Sequence, residues 1–302
     1  MGYGSFNASA YRSFSSDAAT KTADQIYTSR SMNKNLDPKG VKMRESRDSA
    51  DNPQSTPLIV ALDVTGSMGM IAEVIAKHGL GTLFTSILDN KPITDPHLMF
   101  MGIGDANYDM APLQVSQFEA DNRIVEQLTQ LFLEHGGGGN NFESYNLAWY
   151  FAAMHTVHDS YEKRAKRGYL FTIGDEEAPR PLTKDQIKNF IGDDLQADMS
   201  AEEALELAQR TYNVYHIVIK EGNHAKGHLN QVMTSWRDLL GQHVVALDDH
   251  TKLAETIVSI IEVAEGAAAS DAAARWGSAS GVIHEAIKQI PSARSPKLLG
   301  VA

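Results

Sequence analysis

The segment Asp63-Val64-Thr65-Gly66-Ser67-Met68 places a carboxylate and two hydroxyls in a D-x-T-x-S spacing. Alternate residues of an extended turn aim their side chains the same way, and Gly66 permits a tight bend. All three groups offer oxygen, the donor that hard divalent cations take. Mg2+ is the first expectation, and an all-oxygen set equally admits Mn2+ or Ca2+. One carboxylate and two hydroxyls do not complete an octahedron, so an ion here needs ligands from other loops and from water. An aspartate at the end of a strand also has a plainer use as the cap of the next helix, and for Asp63 alone that use competes with a ligand role. Asp105 and Asp175 close apolar runs of their own. For Asp105 a turn or a supporting position behind the ligands is the expected role.

These carboxylates need elements that bring them to one place. Pro57–Asp63 is a continuous apolar run, as a strand buried on both faces of a parallel sheet reads. Further strands are predicted over Pro96–Gly104, Leu113–Phe118, Gly168–Gly174, Asn213–Lys220 and His243–Leu247. Helical spacing is found over Met70–Leu88, Asp121–Leu133, Phe142–His155, about 183–192, 200–210, 227–240 and Leu253–Ala264. This alternation predicts an α/β fold: a doubly wound, mostly parallel sheet with helices on both faces. Such sheets bind ligands at the carboxyl ends of their strands, where Asp63, Asp105 and Asp175 stand.

The D-x-[ST]-x-S loop after a buried first strand, followed by alternating α/β units, resembles the von Willebrand factor A domain over roughly residues 57–265. In that family the loop is the first part of a metal-ion-dependent adhesion site, completed by a Thr on a second loop and an Asp on a third. Asp175, after Leu170-Phe171-Thr172-Ile173-Gly174, matches the third. The second departs from the pattern. Where the family often has Gly-Gly-Thr-Asn, this chain reads Gly136-Gly137-Gly138-Gly139-Asn140-Asn141-Phe142-Glu143-Ser144-Tyr145, without a Thr. Glu143 is the first candidate for the missing oxygen, Asn141 the next, and Ser144 remains open. A Glu ligand would add a third carboxylate to Asp63 and Asp175. The ion would then be held more firmly and be less attractive to an outside acid, with Glu143 playing the ligand that a partner supplies elsewhere.

The resemblance implies a protein-binding module, a component or adaptor of a multi-protein assembly. A partner would be gripped through an acidic residue at the metal or through the terminal arms, with no nucleic acid and no membrane involved. Bacterial and phage relatives of this kind make a structural part of a phage or other large particle the alternative, its metal site vestigial or purely structural. An enzyme is not expected. A phosphatase of the haloacid-dehalogenase type wants Asp-x-Asp where this chain has Thr65, and the loops offer only Glu176, Glu177 and Arg180 as further catalytic groups. The glycine run lacks the Gly-Lys-Ser/Thr ending of a phosphate loop, and Gly102-x-Gly104 lacks the third glycine of a dinucleotide fingerprint. The stretch holding His224 and His228 reads as loop, and His216 as a residue of a strand core. The cluster Lys163-Arg164-Ala165-Lys166-Arg167 reads as a solvated helix end, with an acidic partner as the sharper alternative.

The chain of 302 residues is 42% hydrophobic, enough for a sizeable core, and carries a formal charge of −11, which argues against a surface that is basic throughout. The absence of cysteine removes disulfides, thiolate metal sites and a Cys nucleophile. No signal peptide or membrane span is expected, so the expected location is cytoplasmic, or virion-associated for a phage protein. Residues 1–56 form a polar arm in which Tyr3, Phe6, Tyr11, Phe14 and Tyr27 are scattered among small polar residues. The arm is either flexible or anchored on a partner through those rings. Residues 266–302 form a C-terminal extension whose Val282, Ile283, Ala286, Ile287 and Ile290 suit a short amphipathic helix docked on the domain.

Overall fold

In the computed structural model the described residues are all but 1–3, 5, 8–10, 12–15, 18–19, 69, 76–79, 134–139 and 293–302. The glycine run 136–139, Tyr3 and Phe14 lie outside them. The strands are β1 (Arg44–Ser46), β2 (Thr56–Asp63), β3 (Pro96–Ile103), β4 (Leu113–Val115), β5 (Thr156–His158), β6 (Gly168–Gly174), β7 (Tyr212–Ile219) and β8 (Val244–Leu247). Six of them form one sheet in the order β4-β3-β2-β6-β7-β8, parallel except for β4. The chain builds outward from β2 to β4 on one side and from β6 to β8 on the other. The order therefore reverses between β2 and β6, the place where such sheets open a crevice at their carboxyl edge.

Every residue of β2 and β3 is buried, as expected for strands covered on both faces. Side chains alternate between the two layers. Leu58, Val60 and Leu62 belong to one core with Leu83, Phe84 and Ile87 of a helix over Leu80–Asn90 and with Ile257, Ile260 and Ile261 of another over Leu253–Ala264. Ile59 and Ala61 face the other core, with Tyr145, Trp149 and Ala152 of a helix over Tyr145–Met154 and Val232 and Trp236 of one over Asn223–Leu240. By the same parity Asp63 emerges on the Tyr145 side.

Element ends depart from the sequence reading for local reasons. The helix expected over 121–133 spans Arg123–Leu128. Beyond it the Gln114 side chain takes both backbone groups of Phe132, accepting from its amide at 2.9 Å and donating to its carbonyl at 2.8 Å. The helix expected from Phe142 begins at Tyr145, after the Ser144 amide has donated to Gly104 O at 3.1 Å. The segment around His224 is helix, not loop; its backbone departs from helical geometry only at His228, with φ −132° and ψ 25°.

The polar segment before residue 56 lies partly on the domain. Phe6 stacks on Phe84 with centroids 4.3 Å apart, and Tyr11, Tyr27 and Leu36 are buried. β1 pairs in parallel with β5, making a separate small sheet. The basic cluster is turned into fastenings for this segment: Arg164 donates to both oxygens of Asp48, at 2.7 and 3.1 Å, and to Ser55 O at 2.8 Å. Lys166 pairs with Glu265 at 3.0 Å. At the other end, Ile283, Ala286, Ile287 and Ile290 are buried from a helix over Ser280–Ile287 and the turn after it, packed on the Leu253–Ala264 helix and β8. No helix among the described residues is long and apolar enough to cross a membrane.

Candidate metal centre

The loop leaving β2 is shaped by its own carboxylate. Asp63 Oδ1 accepts from the Thr65 amide at 2.9 Å and from the Thr65 hydroxyl at 2.6 Å. The Thr65 and Ser67 hydroxyls are 3.3 Å apart, and Ser67 donates to Asp175 Oδ1 at 2.8 Å. Asp63, Thr65, Ser67 and Asp175 are thus brought together at the reversal point of the sheet. The helix over Asn223–Leu240 points its amino end at Asp175, whose Oδ2 accepts from the His224 amide at 2.8 Å. A Cβ on Gly222 would stand 2.3 Å from the Asp175 Cβ, so glycine is what allows this approach. The Asn223 amide donates to Ser67 O at 3.1 Å and ties the first loop to the same helix end.

From the second loop, Glu143 is buried beside this group, and Asp63 is foremost among the charges acting on it. Ser144 is committed elsewhere: its hydroxyl oxygen accepts from the Ala106 amide at 2.9 Å. Asn141 is exposed and contributes its carbonyl to the Glu177 amide at 3.2 Å. Asp105 is buried among neutral donors, accepting from Asn107 at 2.9 Å and Asn140 at 2.6 Å. Two residues join the site that the sequence reading did not place there. Glu176 is buried next to Asp175, within hydrogen-bond reach of Ser67. Tyr145 donates from its hydroxyl to Asp63 Oδ2 at 3.1 Å, passing so close to β6 that a Cβ on Gly174 would lie 1.9 Å from the phenol oxygen. An acid directly after a strand-ending Asp was a visible signal for Glu176; nothing in the sequence marks Tyr145.

The electrostatics of the group are those of crowded, buried negative charge, relieved at Asp175 by its contacts with His224. Burial, and then Asp175, pushes Asp63 up to about 7. Burial, followed by Asp63, Asp109, Asp105 and Glu176, pushes Glu143 up to about 11. Burial and then Asp175 and Asp63 push Glu176 up to about 8. Asp175 is raised by burial, against hydrogen bonds from Ser67 and the helix end. At an effective dielectric constant of about 20, like charges 4 Å apart repel by about 4 kcal/mol, so several such groups do not ionise together unaided. Among the described residues no Lys or Arg pairs with any of the four, and Glu143 Oε2 and Glu176 Oε2 are buried without a hydrogen-bond partner. Orphaned carboxylate oxygens beside two hydroxyls are a donor set that fits a hard divalent cation. A second acidic group, Glu221 with Asp249 and His250, is accounted for by internal bonds: Glu221 Oε2 accepts from the His250 amide and ring, each at 2.7 Å.

No known protein-family model matches the chain, and no curated protein matches it. Among solved structures it is similar to the pilus adhesin SpaC of Lactobacillus rhamnosus GG in its open conformation, at 12% identity and a TM-score of 0.42, over 74% of this chain and 31% of that one. It is also similar to a von Willebrand factor type A protein from Catenulispora acidiphila, at 13% identity and a TM-score of 0.38, over 70% of this chain and 42% of that one. A third likeness is to proximal thread matrix protein 1 of the mussel byssus, at 12% identity and a TM-score of 0.40, over 73% of this chain and 48% of that one. The chain thus spans less than half the length of each.

Proposed function

We propose that this chain is a protein-binding module of the von Willebrand factor A type, acting as a component or adaptor of a multi-protein assembly rather than as an enzyme. It would hold one divalent cation, Mg2+ first, at a variant metal-ion-dependent adhesion site. Asp63, Thr65, Ser67, Glu143 and Asp175 would supply the ligands, and Glu176 would stand beside them. The observation that carries this reading is the buried set of unpaired carboxylates at the reversal point of the sheet. The ion would supply the positive charge the protein withholds, and Tyr145 and the amino end of the Asn223–Leu240 helix would keep the aspartates oriented. Against catalysis stands that, among the described residues, no Lys or Arg forms an ion pair with the four carboxylates, and Arg180, which lines a cavity with Glu143, is stacked on the Phe142 ring. Hydrolysis of a generic phosphate ester that disappears in Asp63→Ala would reverse that view.

Calorimetric titration of the full chain with Mg2+ tests the metal reading. One binding event is expected, abolished in the Asp63→Ala/Asp175→Ala double variant and weakened in Glu143→Ala and Glu143→Thr. Absence of binding in the parent chain would overturn it, and unchanged affinity in both Glu143 variants would remove Glu143 from the ligand set.

One observation favours a second reading, in which the ion is mainly a structural staple. Asp63, Glu143, Asp175 and Glu176 are all at most 6% exposed. Pull-down from the native source in Mg2+ and in EDTA separates the two: a partner lost in EDTA supports metal-dependent binding, and one retained supports the staple.

A further inference from the structure

The helix over Asn223–Leu240 carries a histidine pair that the carboxylate site does not use. His224 and His228 stand four residues apart, the spacing that puts two imidazoles on one face of a helix. Their rings are stacked, with centroids 4.7 Å apart and planes 15° from parallel. Their surroundings differ. The His224 side chain is only 10% exposed, and its Nε2 is buried without a hydrogen-bond partner. That nitrogen stands 3.8 Å from Glu177 Oε1, too far for a hydrogen bond. His228 is exposed, and its Nδ1 lies 3.2 Å from His224 O. A carbonyl only accepts, so the proton is on Nδ1 and the free lone pair is on Nε2.

The gap between His224 and Glu177 is one that an ion bridges. Bonds of about 2.0–2.2 Å let two ligands of one zinc stand up to about 4 Å apart. Two imidazoles and a carboxylate are a set that zinc takes, with water in the fourth position. Nitrogen donors favour such an ion over Mg2+. The groups behind the three ligands fit the same use. Gln231 donates to Glu177 Oε1 at 2.7 Å and holds the carboxylate in place, as His224 O holds the His228 ring. We propose that His224, His228 and Glu177 form a second metal site, one for Zn2+. His228 sits at the break in the helix, with φ −132° and ψ 25°, and its exposed ring tilts out of the stack to close on the ion. The ion would staple the first turn of the helix to the third loop. Both already position Asp175, which precedes Glu177 by two residues and accepts from the His224 amide.

The test is titration of the untagged full chain with Co2+, a coloured stand-in for zinc, in excess Mg2+ to occupy the oxygen ligands. One equivalent is expected to bind with the intense visible absorption of a four-coordinate ion, and Zn2+ should displace it. His224→Ala should abolish the signal. His228→Ala, a change at an exposed side chain, should weaken Co2+ binding at least about tenfold and leave Mg2+ affinity as in the parent. His284→Ala, at an exposed histidine on the C-terminal helix, should change nothing. Asp63→Ala should keep the Co2+ signal, which separates this site from the carboxylates. No bound Co2+, a signal retained in both His224→Ala and His228→Ala, or its loss in Asp63→Ala would overturn the proposal. The outcome does not depend on the Mg2+ reading, since failure of the parent chain to bind Mg2+ would leave the Co2+ titration as it stands.

Discussion

Burial and Asp63 hold the Glu143 carboxyl up at about 11 and burial holds Glu176 at about 8, so without a cation both keep protons near neutrality. Metal must displace those protons, and its affinity should therefore rise with pH. Calorimetry in buffers of different ionisation enthalpy should show proton release on Mg2+ binding at about neutral pH, reduced in Glu143→Gln. The stability consequence has a definite sign. Both folded values lie above the 4.5 of an unburied Glu, so the metal-free fold binds more protons than the unfolded chain. In EDTA the stability that these two carboxyls contribute should fall as pH rises from 4.5 toward 8, a fall that shows in the whole chain above pH 6.5, and Mg2+ should oppose it. At a free concentration of 100 times its Kd, the ion contributes about 2.7 kcal/mol. Thermal scans with EDTA or Mg2+ across that range check both statements. Gly174→Ala places a methyl on the Tyr145 hydroxyl and should cost about 1–3 kcal/mol, with weaker Mg2+ binding as Tyr145 is pushed off Asp63. That Asp63, Thr65, Ser67 and Asp175 come together was legible, because each lies at the end of a buried strand or on the loop that leaves it. Tyr145 was not legible, because its role depends on the bare Cα of Gly174 across the sheet.

Elements were legible where their period is long and missed where their partners are distant. The apolar runs of β2, β3, β6 and β7 announce themselves; β1 and β5 have three residues each and exist through the pairing of Arg44 with Thr156 through Ser46 with His158. Polar composition over 1–56 likewise hides what holds that segment, which is a few buried rings and a set of ion pairs. Two buried histidines make the small sheet sensitive to acid. His97 bonds through Nδ1 to Ser46 Oγ at 3.0 Å, and His158 caps the next helix by accepting from the Tyr161 amide at 3.1 Å. Burial lowers both from 6.5 to about 4. The unfolded chain thus binds more protons over this range, so their contribution is whole above 6.5 and is lost as pH falls toward 4. His97→Gln should flatten the acid limb of a stability–pH curve measured by urea unfolding. Arg164→Ala should loosen the same region, seen as faster proteolysis between residues 47 and 56, since it removes two bonds to Asp48 and one to Ser55 O together.

At the scale of the whole molecule the two polar ends finish the sheet. Edge strands offer unpaired backbone groups, and folded proteins cover them. The β4 edge is met by the N-terminal segment, where the Val115 amide donates to Leu36 O at 2.7 Å. The β8 edge is met by the C-terminal segment, where the Gln289 side chain donates to Val244 O at 2.5 Å and Ile283 and Ile287 sink into the core. Both covers lie at the flanks of the sheet, whereas the carboxylates lie at the carboxyl ends of its central strands. Stability and metal binding should therefore separate. Ile287→Ala removes a fully buried side chain and should cost about 2–5 kcal/mol, lowering the melting temperature by about 4–20 °C. Its Mg2+ affinity, measured by calorimetry well below the transition, should match the parent. An equal loss of affinity would mean that the C-terminal helix reaches the site through the Leu253–Ala264 helix and β8, which would make the extension a part of the binding device as well as its cover.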